Sequence, residues 1–191
     1  MAEPIEEYLS KLTAMANLSG DYRSVLNSIQ STERSLPNHH MINVIKGMCF
    51  HGLQEDERAA EEYEKAIKLN PNSAWAYFRK GELHRDLGEY GQALDCFRKA
   101  TEYKPHRPDF WVERGFVEEE LDDVPSALKS YEESINHGSD RGWGWYGKAR
   151  CLIYAQRFEE AQDALKNALD LNPDEQEFKE LRGKILEFIR L

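Results

Sequence analysis

The stretch GWGWYGK, residues 142–148, can be read in two ways that lead to different folds. As letters it is G-x-G-x-x-G followed by lysine, the glycine spacing of a phosphate-binding turn. Such a turn has to follow a strand and open a helix inside a βαβ unit. The segment before it, ALKSYEESINHGSD (127–140), has helical apolar spacing and ends in a turn. The nucleotide reading therefore lacks its strand. The second reading comes from a period that runs through the whole chain.

Prolines fall at 37, 71, 105 and 173, in steps of 34, 34 and 68. The missing member is at 139, where Ser139 after Gly138 supplies a turn residue instead. Small residues keep the same beat at Gly47, Gly81, Gly115 and Ala149, and at Ala59, Ala93, Ala127 and Ala161. Ala66, Ala100, Ser134 and Ala168 form a third set, and the bulky Tyr63, Phe97, Tyr131 and Leu165 a fourth. Four sets in one register define a repeat. Within residues 74–107, Tyr77, Gly81 and His84 mark one helix face, and Leu87-Gly88-Glu89 is a turn. Tyr90, Ala93, Leu94, Phe97, Ala100 and Thr101 mark a second helix, which Tyr103 carries to a stop at Pro105. Small residues where two helices cross let their backbones approach. Each unit is thus an antiparallel helix pair.

These residues resemble the tetratricopeptide repeat. The third unit supplies Tyr77, Gly81, Gly88, Tyr90, Ala93, Phe97, Ala100 and Pro105 of that family's pattern. The fourth keeps Trp111, Gly115, Ala127, Tyr131 and Ser134, and the fifth Trp145, Ala149, Phe158, Ala161, Ala168 and Pro173. The second keeps Gly47, Phe50, Ala59, Tyr63, Ala66 and Pro71. The first is weaker, with Leu9, Leu12, Gly20, Tyr22, Ile29 and Pro37, but with Thr13, Val25 and Thr32 for the small residues. A terminal repeat diverges because one face has no neighbour. Phe178, Leu181, Ile185 and Phe188 then form one apolar stripe, a closing helix over the last repeat. The resemblance implies an all-α, right-handed superhelical solenoid of antiparallel helix pairs. It also implies one domain over 1–191, with repeats at 6–39, 40–73, 74–107, 108–141 and 142–175 and a capping helix at 176–191.

The register assigns every letter of GWGWYGK. Trp145 corresponds to Tyr77 and Trp111, Lys148 to Lys80 and Arg114, and Gly142 opens the unit. Gly144 and Gly147 each cost a helix roughly 1 kcal/mol relative to alanine. They either admit a close neighbour or reflect drift in a helix that its neighbours support. Glu118 stands where an apolar residue is usual, and Arg114 four residues earlier offers an in-helix partner. Pro125 follows Asp122-Asp123 at a helix start, where proline is tolerated.

Composition narrows the function. The chain has 191 residues, 40% hydrophobic and 31% charged, with a net charge of −10. That excess of acid argues against nucleic acid and anionic membrane partners. No apolar run is long enough to span a bilayer. The acidic N-terminus, MAEPIEEYLSK, lacks the basic character of a signal or transit peptide, so a cytoplasmic location is expected. Cys49, Cys96 and Cys151 are odd in number and widely spaced, which does not suggest a disulfide framework. His39-His40 falls in an expected turn, and none of the six histidines has metal-ligand spacing. No nucleophile–base pair is evident. Neither an enzyme nor a cofactor is expected.

The resemblance implies a concave groove, lined by the first helix of each repeat, that holds a segment of a partner protein. By register the groove residues are Met41, Val44, Ile45, Met48 and His51; Trp75, Phe78, Arg79, Glu82 and Arg85; Asp109, Val112, Glu113, Phe116 and Glu119; and Trp143, Tyr146, Gly147, Arg150 and Ile153. Met41, Trp75 and Trp143 replace residues that are usually polar. They are either ligand anchors or packing against a neighbouring helix. The family's carboxylate clamp for chaperone C-termini is not expected. The three frames place Ser10, Ala14, Ile45, Trp75 and Arg79; Val44, Met48, Arg79, Asp109 and Glu113; or Phe78, Glu82, Glu113, Trp143 and Gly147 at the clamp positions. The expected partner is a protein or peptide with apolar anchors, amphipathic and with some basic residues to meet Glu82, Asp86, Asp109, Glu113, Glu119 and Glu120. Those acids are otherwise a solvated face. The alternative is a homo-oligomer, in which the weak first unit or the closing helix, with Leu186, Ile189 and Leu191 apolar beyond its stripe, docks in a neighbour's groove.

Overall fold

The computed structural model describes residues 5–35, 39–138 and 142–189. Pro37, Ser139, Leu191 and the side chains of Leu9, Thr32, Phe188 and Ile189 lie outside the described residues. Among the described residues every regular element is a helix. They are α1 (Ile5–Ser19), α2 (Tyr22–Ser35), α3 (His40–Gly52), α4 (Asp56–Leu69), α5 (Ala74–Asp86) and α6 (Tyr90–Tyr103). Then follow α7 (Pro108–Glu120), α8 (Val124–Asn136), α9 (Trp143–Tyr154), α10 (Phe158–Leu171) and α11 (Gln176–Ile189). The first helices α3, α5 and α7 open at 40, 74 and 108, the step read from the sequence.

Residues 53–55, 87–89, 121–123 and 155–157 join the helices of four pairs. A three-residue link makes the second helix turn back antiparallel to the first. Each link holds one residue in left-handed backbone: Gly88 at φ +74°, and Gln54, Asp122 and Gln156 at 61°, 60° and 58°. The turn after α5 is closed by Glu89 N–H donating to His84 O at 2.8 Å, a helix C-terminal motif that suits glycine. The other three residues adopt the same angle at a cost of roughly 1 kcal/mol each.

The periodic small residues are where the pairs cross. Ala59, Ala93, Ala127 and Ala161 are fully buried, as are Ala66, Ala100, Ser134 and Ala168. Tyr63 lies against Gly47 and Phe97 against Gly81, where an added Cβ would come 2.8 Å from the ring. An alanine in place of such a glycine would therefore push the pair apart.

By its internal contacts the chain forms two compact units, residues 1–103 and 104–191. In the first, α3 packs on α1, α2, α4 and α5, and α5 packs on α4 and α6. Leu12, Ala16, Val25 and Ile29 meet Ile42, Ile45 and Cys49 in its first core cluster. In the second, α9 packs on α7, α8 and α10, and α11 packs on α10. Phe178 and Ile185 of α11 are buried with Ala161, Leu165 and Ala168, so this helix closes over the last repeat.

GWGWYGK is the start of α9, with no strand before it among the described residues. Gly142, at φ +78°, caps the helix against the Ala168 backbone. The drift account of the other two glycines is corrected. A Cβ on Gly147 would overlap the Tyr131 ring, and one on Gly144 would come 3.0 Å from Ser134 Oγ. The Tyr131 ring is wedged between Gly115 and Gly147. Glu118 is fully buried; Arg114 Nε donates to its Oε1 at 2.9 Å and Ser130 Oγ to its Oε2 at 2.6 Å. Pro125 sits in the first turn of α8, which Asp123 caps through Ser126 N–H. His40 opens α3 instead of lying in a turn. Its ring nitrogens lie 3.0 Å from Ser73 Oγ and 3.2 Å from Asn70 Nδ2, fastening that helix to the α4–α5 link.

Candidate functional site

In unit 1 the first helix α3 packs on the first helices α1 and α5. Met48 and His51 from α3 meet Arg79 and Glu82 from α5 around a cleft of about 200 Å³. Tyr22 of α2, Gly52 and Tyr63 of α4 complete its lining. A Cβ on Gly52 would overlap the Tyr22 ring, so this glycine brings α2 to the cleft edge. Arg79 Nη1 donates to Glu82 Oε2 at 2.8 Å, one turn apart on α5. His51 Nε2 is 3.3 Å from Asp86 Oδ2, which also accepts from Arg85 through Oδ1 at 2.8 Å. Tyr63 forms the floor. Burial holds its hydroxyl well above the usual phenol range, so it stays protonated and can donate. Neither the Tyr63 hydroxyl nor Arg79 Nε has a hydrogen-bond partner among the described residues.

Three expected groove residues are corrected by their burial. Val44 is packed with Ala66 and Ala76, and Ile45 with Leu12, Val25 and Ile29. Both point into the interfaces that α3 makes with its flanking helices. Phe78 is buried, its ring centroid 5.7 Å from that of Phe97 and 5.8 Å from that of Trp75. Met41 and Trp75 are half-buried against the Val44–Ala66–Ala76 cluster. Arg79 also lies over the Trp75 ring at 5.9 Å, which ties the tryptophan to the cleft's cation.

In unit 2, Trp143 and Tyr146 do not stand open. The ring of Phe178 packs edge-on to Trp143 and stacks on Tyr146, both at 5.0 Å between centroids. The closing helix takes the contact that a ligand anchor would make, so packing accounts for both rings. Gly147 is covered by Tyr131, and Ile153 is packed into the core cluster of α9 and α10. Val112 packs on the Ala127–Tyr131–Cys151 cluster. Asp109 pairs with Arg107, while Glu113 and Phe116 are half-buried on α7. Glu119 accepts from the Tyr131 hydroxyl at 2.6 Å, with Arg150 Nη1 3.6 Å from the same oxygen. Burial raises the Glu119 pKa despite both of these partners.

Tyr22, Gly52 and Tyr63 of the cleft were not among the expected groove residues. The available signal was at Tyr63. Its register holds Tyr63, Phe97, Tyr131 and Leu165, and a hydroxyl at two of four packing positions asks where that hydroxyl goes. The three thiols are free and buried. Burial pushes Cys49 and Cys151 up to about 12 and Cys96 to about 11. At neutral pH they are thiols, not nucleophilic thiolates. No helix is long and apolar enough to cross a membrane among the described residues.

Tetratricopeptide-repeat family models match residues 42–73, 62–95 and 120–185. The chain belongs to the tetratricopeptide repeat family. It is 27% identical to a TPR repeat-containing protein of Methanocaldococcus jannaschii over 84% of this chain and 30% of that protein. It spans less than a third of the length of the curated relatives it matches first. Among solved structures, Pseudomonas aeruginosa pilF superposes with a TM-score of 0.85 at 14% identity, over 97% of this chain and 84% of that one. YrrB, described as a TPR protein with an unusual peptide-binding site, gives 0.71 at 18% identity over 85% and 84%. At these identities the structures share the fold.

Proposed function

We propose that the chain is a non-enzymatic interaction scaffold that holds a segment of a partner protein against its first helices. The observation that carries this reading is the cleft in unit 1, where side chains of adjacent first helices converge over buried polar groups. The half-buried Met41 and Trp75 on the same two helices supply apolar surface for a partner's anchor. YrrB, of the same fold, is described with a peptide-binding site, which supports a segment as the ligand. A segment docking on unit 2 would meet Glu113 and Glu120 with basic residues of its own. The cytoplasmic location and the single domain over 1–191 belong to the same proposal.

The test is affinity capture from the source lysate with wild-type and Trp75→Ala baits. A protein held by the first and lost from the second, with helicity unchanged by circular dichroism, supports the reading. Equal capture by both overturns the placement on α3 and α5. Self-association remains the second reading because Leu186 of α11 is exposed. A monomer mass by light scattering at high concentration would overturn it.

A further inference from the structure

Two equivalent tyrosines differ in what they touch. In unit 2, Tyr131 donates to Glu119 Oε2 at 2.6 Å, and the chain supplies its own acceptor. The same register in unit 1 is Tyr63, which is 0% exposed and whose hydroxyl has no partner among the described residues. His51 stands in the place of Glu119 and is turned to Asp86. Arg79 stands in the place of Gly147, with its Nε buried and unpartnered. Two residues lining one cleft therefore carry buried donors with no acceptor among the described residues. Buried donors without acceptors are costly, so the site is built for an oxygen that arrives from outside.

Local charge selects the kind of oxygen. Arg79 is already paired with Glu82, and Arg85 with Asp86. A further carboxylate would enter as an uncompensated anion. An amide brings a carbonyl oxygen to the two donors and an N–H to the Glu82 carboxylate. We infer that the cleft takes an amide group of a partner segment, its carbonyl accepting from Tyr63 Oη and Arg79 Nε and its N–H donating to Glu82. This deepens the interaction reading and rests on it. The flanking Met48 and Tyr22 then cover the methylenes beside the amide. The amide comes from an Asn or Gln side chain or from the main chain.

The Arg79 Nε–H gives its own peak in a nitrogen–proton correlation NMR spectrum, assigned by its loss in Arg79→Met. The full chain is titrated with N-acetylglutamine amide, N-acetylnorvaline amide and N-acetylglutamate amide. The glutamine probe should move this peak saturably. Tyr63→Phe, which keeps the ring, should weaken that binding about tenfold. Glu82→Gln should weaken it as well. Movement with the glutamine probe alone assigns a side-chain amide, and equal movement with norvaline assigns the main chain. Preference for glutamate, with tighter binding in Glu82→Gln, overturns the amide in favour of an anion. No movement with any probe overturns the site. If capture by the full chain still depends on Trp75, only the present inference falls. If the probe binds while capture ignores Trp75, the docking reading falls and the cleft stands.

Discussion

Tyr63 and Tyr131 occupy the same place in two helix pairs, and each lies against a glycine of its partner helix. Around the Tyr131 hydroxyl the chain supplies the acceptor. A second glycine admits the ring, Glu119 takes the hydroxyl, and Phe178 of the closing helix covers Trp143 and Tyr146 nearby. Around Tyr63 the equivalents are Arg79 and His51, and the buried hydroxyl of this cleft-lining residue has no acceptor among the described residues. The repeat fixes the scaffold in both places. A few substitutions at fixed register decide which tyrosine hydroxyl finds an acceptor among the described residues and which does not.

The largest expected effect is at the wedge. Gly147→Ala puts a Cβ into the Tyr131 ring and should destabilise unit 2 by about 2–3 kcal/mol. Gly183→Ala, which meets open space in α11, should raise stability by up to about 1 kcal/mol. Urea unfolding read by hydrogen exchange on peptides of each unit measures both. Equal effects would mean that the wedge carries no strain.

The hydroxyls give the next contrast. Tyr131→Phe strips the Glu119 carboxylate of its donor and should cost about 1–3 kcal/mol. Tyr63→Phe removes a buried donor with no partner among the described residues and should leave stability unchanged or raise it by up to about 1 kcal/mol. A comparable loss from both would mean that the Tyr63 hydroxyl is already satisfied.

The units should also respond to acid in opposite directions. Burial raises the Glu119 pKa, against the hydrogen bond from Tyr131 on α8, Arg150 and Cys151 on α9, and with Glu120 on its own helix. Its folded state holds the proton more tightly than the unfolded chain does. Unit 2 should therefore gain stability as pH falls from neutral through that raised pKa toward 4.5. For Glu62, burial raises the pKa, but hydrogen bonds from Lys65 and Asn43 and the charges of Lys46 and Lys65 outweigh it. Its folded pKa lies below the unfolded value, so its contribution is present above 4.5 and lost as pH falls through the folded pKa. Exchange rates measured across this range should separate the units. In Glu119→Gln the gain in unit 2 should vanish; if it persists, another group carries it.

The smallest effect is at the turns. Gln156→Gly relieves a left-handed residue and should stabilise unit 2 by about 0.5–1 kcal/mol. Gly88→Gln in unit 1 should cost a similar amount, as read by thermal unfolding.

Much of this architecture was legible in the sequence. The step of 34 located the helix pairs, their turns and the residues at their crossings, because close packing of two helices restricts size at fixed positions. The Arg114–Glu118 pair was legible for the same reason, since side chains four apart share a helix face. The site was legible only in part. Register placed Met48, His51, Arg79 and Glu82 on first helices, where they line the cleft, but it also placed Val44, Ile45 and Phe78 there, and those pack against neighbouring helices. Register gives a direction around one helix. Whether a neighbour covers that direction depends on the neighbour.

The sequence by itself therefore determined the family, the helix pairs and the closing helix. Those follow from local periodicity and from size restrictions repeated along the chain. Only the tertiary structure decided that Phe178 packs on Trp143 and Tyr146, that Gly147 admits Tyr131, and that Tyr63 and Arg79 share a cleft with no acceptor for their buried donors among the described residues. Each of these depends on side chains from different helices meeting in space. Hydrogen-bond satisfaction is a property of such a meeting, and no single helix's pattern contains it.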